Sequence, residues 1–126
     1  MKKVAILTSG GDAPGMNAAV RACVRYAIYN DIDIYGVERG YVGLLKNHIT
    51  RLNSRSVSDT IHRGGTILKT ARCPEFNEVE FQRQAADTLM AYGIDSLIVI
   101  CGDGSFRGAK DLSDNCGLNV VCIPGT

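Results

Sequence analysis

Val4-Ala5-Ile6-Leu7-Thr8-Ser9-Gly10-Gly11-Asp12-Ala13-Pro14-Gly15-Met16-Asn17 carries the change of period on which the fold depends. The unbroken apolar run Val4 to Leu7, stopped by a glycine cluster, fits a strand covered on both faces. From Met16 to about Tyr29 the period changes: Val20, Cys23, Val24, Ala27 and Ile28 recur at three and four residue spacing, which puts them on one buried helical stripe. Arg21 and Arg25 fall one turn apart on another face. The loop between strand and helix is rich in glycine but lacks the lysine of a P-loop.

Working outward, the alternation repeats. Ile32 to Val37 reads as a second strand, after which Gly40 and Gly43 of "ERGYVGL" mark a bend rather than a continuing ladder. Leu44 to Asn53 leaves room for a short strand, and "SVSDTIHRGG" suggests a helix with a serine near its start and Gly64 past its end. "TILKTAR" returns to strand character before Pro74. Asn77 to Tyr92 follows helical spacing through Val79, Ala85, Ala86, Leu89 and Met90, with Gly93 as its stop. Ser96 to Ile100 is another apolar strand, followed by "CGDGS", a short helix from Phe106 to about Asn115, and a strand from Asn119 to Ile123. Such repetition implies parallel strands joined by right-handed crossovers, with ligands bound where loops leave the strands' carboxyl ends.

"SGGDAPGMN" and "CGDGS" both occupy such places, each bringing backbone amides to a helix N-terminus where a phosphate is favoured. Glycine lets the backbone approach the oxygens, which a Cβ would prevent. Each loop also reads as a tight βα turn that binds nothing. Two of them, each carrying an aspartate, shift the balance towards a nucleotide site.

Composition narrows the partners. The 126 residues are 45% hydrophobic with a formal net charge of +1, enough for one domain. The basic residues are spread along the chain, so there is no electrostatic footprint for nucleic acid or an anionic membrane. Cys23, Cys73, Cys101, Cys116 and Cys122 are odd in number and form no C-x-x-C pair, which favours free thiols in a reducing compartment. No stretch approaches a membrane span and the N-terminal apolar run is too short for a signal segment; the expectation is a cytoplasmic protein. His48 and His62 have no matched nucleophile or metal-ligand partner, so neither a triad nor a zinc site is supported.

Four blocks in order, "LTSGGDAPGMNAAVR", "GGT" with "ARCPEF", "CGDGS" and terminal "PGT", resemble the N-terminal part of the bacterial ATP-dependent 6-phosphofructokinases. The resemblance covers essentially the whole chain. It implies an α/β fold with a parallel-sheet, Rossmann-like three-layer nucleotide-binding domain, incomplete at its C-terminus. Residues 1 to 126 would be the N-terminal part of the ATP-binding domain, with the sugar-phosphate-binding domain absent. The implied activity is a kinase of glycolysis, a transferase that moves the terminal phosphoryl group of ATP to the 1-hydroxyl of fructose 6-phosphate with Mg2+.

The resemblance also assigns positions. Gly11 matches the first nucleotide loop, its amide against the transferring phosphate, and Asp103 matches the magnesium aspartate, a hard oxygen ligand of the kind that ion prefers. Gly102, Gly104 and Ser105 would wrap the ATP phosphates. Arg72 corresponds to the arginine that bridges donor and product phosphates, a role suited to a guanidinium. Tyr41 and Cys73 match positions lining the nucleotide site, and Thr126 would begin the substrate site for the sugar phosphate. In the pyrophosphate-dependent branch an aspartate usually stands in place of Gly104 and a lysine in place of Gly125, so both positions read as ATP.

Arg21, Arg25 and Asp59 match an allosteric effector site at a subunit boundary, where ADP activates and phosphoenolpyruvate competes. A further family arginine falls at Ser54, with Arg55 adjacent, which implies weakened or altered activation. Cys101 replaces the usual first glycine of its loop. Lys69 occupies a position often held by glycine, either adding charge near the nucleotide or pointing to solvent. The family's general base belongs to a motif that follows "PGT", so the resemblance implies a fragment that is inactive by itself, and a homotetramer at full length. Two other readings stand beside it: a non-catalytic nucleotide-binding module, and another kinase of the GGDG type, which would not share the "SGGDAPGMN" block.

Overall fold

In the computed structural model, residues 2–9, 16–53, 55, 68, 78–101 and 106–124 are described. The elements in chain order are β1 (Lys3–Ser9), α1 (Met16–Tyr29), β2 (Asp33–Val37), α2 (Gly40–Leu45), β3 (Ile49–Arg51), α3 (Val79–Ala91), β4 (Ser96–Cys101), α4 (Phe106–Cys116) and β5 (Asn119–Pro124). They build one five-stranded sheet in the order β3-β2-β1-β4-β5. β1 pairs in parallel with β2 and with β4, and β4 with β5, whereas β3 pairs antiparallel with β2.

The alternation along the central strands assigns the layers. Ala5 and Leu7 of β1 and Leu97 and Val99 of β4 point into a core shared with Leu44 of α2, Ala85 and Leu89 of α3, and Ala109 and Leu112 of α4. Ile6 and Ile100 point to the other face, where Val20, Val24 and Ala27 of α1 pack with Ile34. Among the described elements, α1 therefore covers one face and α2, α3 and α4 the other. The continuous apolar character of β1 and β4 is the consequence, because a strand between two helical layers needs apolar side chains in both directions. Each fully buried leucine or isoleucine in these clusters contributes roughly 1.5–3 kcal/mol relative to exposure.

Two local expectations are corrected. The sheet is mixed rather than wholly parallel, and Gly40 and Gly43 lie in a short helix rather than an open bend. These corrections share a cause. A six-residue helix spans only about 9 Å, while five-residue β2 runs about 16 Å. The chain therefore cannot travel back to begin a parallel neighbour, and after α2 it turns and descends beside β2. The edge is fastened by Glu38 N–H to the His48 carbonyl (3.1 Å), His48 N–H to the Gly43 carbonyl (2.8 Å), and an Arg51–Asp33 ion pair (2.8 Å). The helix expected in "SVSDTIHRGG" and the strand expected in "TILKTAR" lie, apart from the buried Leu68, outside the described residues.

Helices α3 and α4 are joined by a polar bridge as well as by apolar packing. Gln82, fully buried, donates from Nε2 to Asp111 Oδ2 (3.2 Å) and accepts at Oε1 from Asn115 Nδ2 (3.0 Å). Gln82→Met keeps the volume and removes both bonds. It is expected to cost about 1 kcal/mol, read as a lower urea midpoint at unchanged m-value; an unchanged midpoint would show that the bridge adds nothing to the apolar packing.

Candidate nucleotide site at the switch point

Neighbouring strands β1 and β4 end level with each other, Ser9 in register with Cys101. From these two carboxyl ends the chain departs in opposite directions. After β1 it passes to α1 on one face, and after β4 it passes to α4 on the other. A sheet whose connections diverge between adjacent parallel strands has a crevice there, and in open α/β sheets that crevice is where ligands bind. The two connections are residues 10–15 and 102–105, the aspartate-bearing glycine loops, leaving strands about 4.8 Å apart.

The described rim of this crevice is polar although it caps an apolar core. Thr8 and Ser9 at the end of β1 and Asn17 in the first turn of α1 are all buried, and each is engaged by a partner. The sequence reading missed their burial. The signal was Thr8-Ser9 prolonging an apolar run, two small hydroxyl residues where a strand meets a loop.

Tyr41, expected beside the nucleotide, follows the turn from β2 into α2. It is 6% exposed and belongs to the core cluster containing Leu7, Val99 and Ala109. It thus sits in the same layer as α4, the helix that follows the 102–105 loop. The approach to it is unusual: Arg39 and Gly40 both have left-handed backbones, and the Arg39 N–H donates to the Leu68 carbonyl at 2.8 Å.

Arg21 and Arg25 lie across the sheet from Tyr41, on α1. Arg25 is exposed, Arg21 is half-buried, and the Nε of Arg21 is buried with no hydrogen-bond partner among the described residues. Gly11, Asp59, Arg72, Cys73, Gly102, Asp103, Gly104, Ser105 and Thr126 lie outside the described residues, as do Ser54 and Lys69.

Burial raises the Cys23 thiol above its ordinary range. Burial likewise raises Cys116, with Arg83 opposing and Asp87 adding to the effect. Both therefore stay protonated at neutral pH, the unreactive form. Cys23, Cys116 and Cys122 are not disulfide-bonded. Among the described residues no three His, Cys, Asp or Glu side chains gather to hold a metal, and no helix is long and apolar enough to cross a membrane.

Comparison with known proteins agrees with this geometry. The family model described as Phosphofructokinase matches residues 3–126. The chain is 60% identical over 126 residues to an ATP-dependent 6-phosphofructokinase of Clostridium botulinum (strain Eklund 17B / Type B), covering 100% of this chain and 39% of that protein. It is 57% identical over 127 residues to that of Staphylococcus carnosus (strain TM300), again covering 100% of this chain and 39% of the relative. Among solved structures, phosphofructokinase from Saccharomyces cerevisiae superposes with a TM-score of 0.90 at 38% identity, over 100% of this chain and 20% of that one. A pyrophosphate-dependent phosphofructokinase from Marinobacter aquaeolei shares the fold, with a TM-score of 0.76 at 19% identity over 98% of this chain and 33% of that one. The chain thus spans 39% of the length of the curated relatives it matches.

Proposed function

Because the chain belongs to the phosphofructokinase family, we propose that the full-length protein containing it is an ATP-dependent kinase that phosphorylates the 1-hydroxyl of fructose 6-phosphate. The observation that carries this reading is the level ending of β1 and β4, Ser9 opposite Cys101, at the point where the connections diverge. In this reading the segments holding Gly11 and Gly102–Ser105, which follow those two strand ends in the sequence, serve one crevice. Phosphoryl transfer asks little covalent chemistry of a protein and much positioning and charge stabilisation.

In this reading the backbone amides of Gly11 and of residues 102–105 bind the phosphate oxygens of ATP, fixing the chain of phosphates for in-line transfer. Arg72 donates to the group in transit, where charge is spread over its equatorial oxygens. Tyr41 and Cys73 flank the nucleotide, and Thr126 meets the sugar phosphate. Asp103 would hold Mg2+, a hard cation suited to carboxylate and phosphate oxygens, and the bound ion would offset negative charge on the phosphates. The general base, and the remainder of the sugar-phosphate site, would come from the part of the protein beyond these residues.

Gly104 and Gly125 support ATP rather than pyrophosphate as donor, since neither carries the side chain of the pyrophosphate-dependent pattern. Arg21, Arg25 and Asp59 would bind a nucleoside diphosphate or phosphoenolpyruvate as effectors, a reading supported by the unpartnered Nε of Arg21. A homotetramer, with effector sites at subunit boundaries, is the assembly that goes with this site. The test is a coupled assay of the full-length protein with fructose 6-phosphate and either ATP or pyrophosphate. Turnover with Mg-ATP and none with pyrophosphate is the expected result; the reverse would overturn the donor assignment, and saturable ATP binding without turnover would favour a nucleotide-binding module.

A further inference from the structure

We propose that Gly40 is a positioning residue for the nucleotide: its missing side chain lets the turn into α2 seat directly on the end of β1, and this contact sets where Tyr41 stands relative to the phosphate loop. The inference rests on the ATP-dependent reading above, in which Tyr41 is a wall of the nucleotide site.

Gly40 has φ +59, and a Cβ built there would lie 3.0 Å from the carbonyl oxygen of Thr8 and 4.0 Å from the Cβ of Ser9. The carbonyl has little freedom to yield. Thr8 is fully buried, and its strand is held in register on β4, Thr8 opposite Ile100. The turn has little freedom either, because the Arg39 N–H is bonded to the Leu68 carbonyl at 2.8 Å and Tyr41 is packed into the core. A side chain at position 40 must therefore be accommodated by a shift of a few tenths of an ångström between the Tyr41 turn and β1. Two residues beyond Thr8, β1 gives way to the loop containing Gly11. One contact thus fixes the Tyr41 turn against the end of the strand that leads into the Gly11 segment.

Gly117 separates this contact from backbone strain. It also has a left-handed φ, +67, but a Cβ there meets nothing within 4 Å. Steady-state kinetics of the full-length enzyme with Gly40→Ala, Tyr41→Ala and Gly117→Ala discriminate the possibilities. Gly40→Ala and Tyr41→Ala are each expected to raise the KM for ATP about tenfold, with kcat and the KM for fructose 6-phosphate within about twofold, since small misplacements in a site carry such costs. Gly117→Ala should leave all three constants unchanged. If Gly40→Ala proves insoluble, Gly40→Asn takes its place, because asparagine enters the left-handed region more readily and carries the same Cβ. A raised KM in Tyr41→Ala but not at position 40 overturns the inference and leaves the ATP-dependent reading intact. So does a Gly40 variant in which kcat falls with the melting temperature while the KM for ATP stays unchanged. An unchanged KM in Tyr41→Ala removes Tyr41 from the site, and with it the premise.

Discussion

Asp103→Ala in the full-length enzyme is expected to lower kcat by about a thousandfold, with secondary structure unchanged by circular dichroism. β4 ends at Cys101, so Asp103 follows two residues after the strand's end in the sequence, and the proposed function makes it the Mg2+ ligand. Loss of its carboxylate leaves the negative charge of the nucleotide phosphates without the cation that should offset it. Because a ligand is missing rather than an affinity merely weakened, raising the Mg2+ concentration should recover little of the lost rate, and Asp103→Glu should recover more than Asp103→Asn. A fall of less than about tenfold would mean that Asp103 is only the aspartate of a tight βα turn.

Gly43→Ala is expected to destabilise the fold strongly. Gly43 lies in α2, and a Cβ there would fall 1.8 Å from the Glu38 carbonyl oxygen, 2.9 Å from the Glu38 carbonyl carbon and 3.0 Å from Val37 Cγ1. No rotamer change relieves an overlap with backbone, so α2 must move relative to the end of β2. That movement strains the His48 N–H bond to Gly43 and the Glu38 N–H bond to His48 that bring in β3. A cost of about 3 kcal/mol or more follows, at the upper end for an overpacked site. It should appear as a lower denaturation midpoint and as faster amide exchange across 38–51 than across β4. Equal stability of the variant would require that the turn repack without disturbing β3.

Much of this was legible in the residues themselves. Strands β1, β2, β4 and β5 and helices α1, α3 and α4 lie where the hydrophobic pattern put them, because each is long enough for that pattern to show. The short strand allowed for within Leu44 to Asn53 is β3, but its antiparallel direction was not legible. "HITR" has one half-buried residue and two exposed ones in its strand, so it carries no apolar signal; its direction is decided by how far α2 can carry the chain. The same holds for Gly40 and Gly43, which read locally as breakers. Only the packed turn shows that one faces the Thr8 carbonyl and the other the Glu38 carbonyl. Gln82 is another example: on the helix it is a polar residue among apolar neighbours, and its burial is intelligible only once Asp111 and Asn115 face it.

By itself, then, the order of apolar runs, glycine loops and amphipathic helices determined that this protein is an α/β layered domain with two aspartate-bearing loops at strand ends, since those properties depend on local period and turn chemistry. Which strands would be neighbours was decided by tertiary structure alone. Pairing β4 with β1 across more than eighty residues of sequence is a choice among competing long-range contacts, made by the fit of two apolar faces between two helical layers. That pairing, Ser9 beside Cys101, is what makes the two strands that lead into the aspartate-bearing segments neighbours.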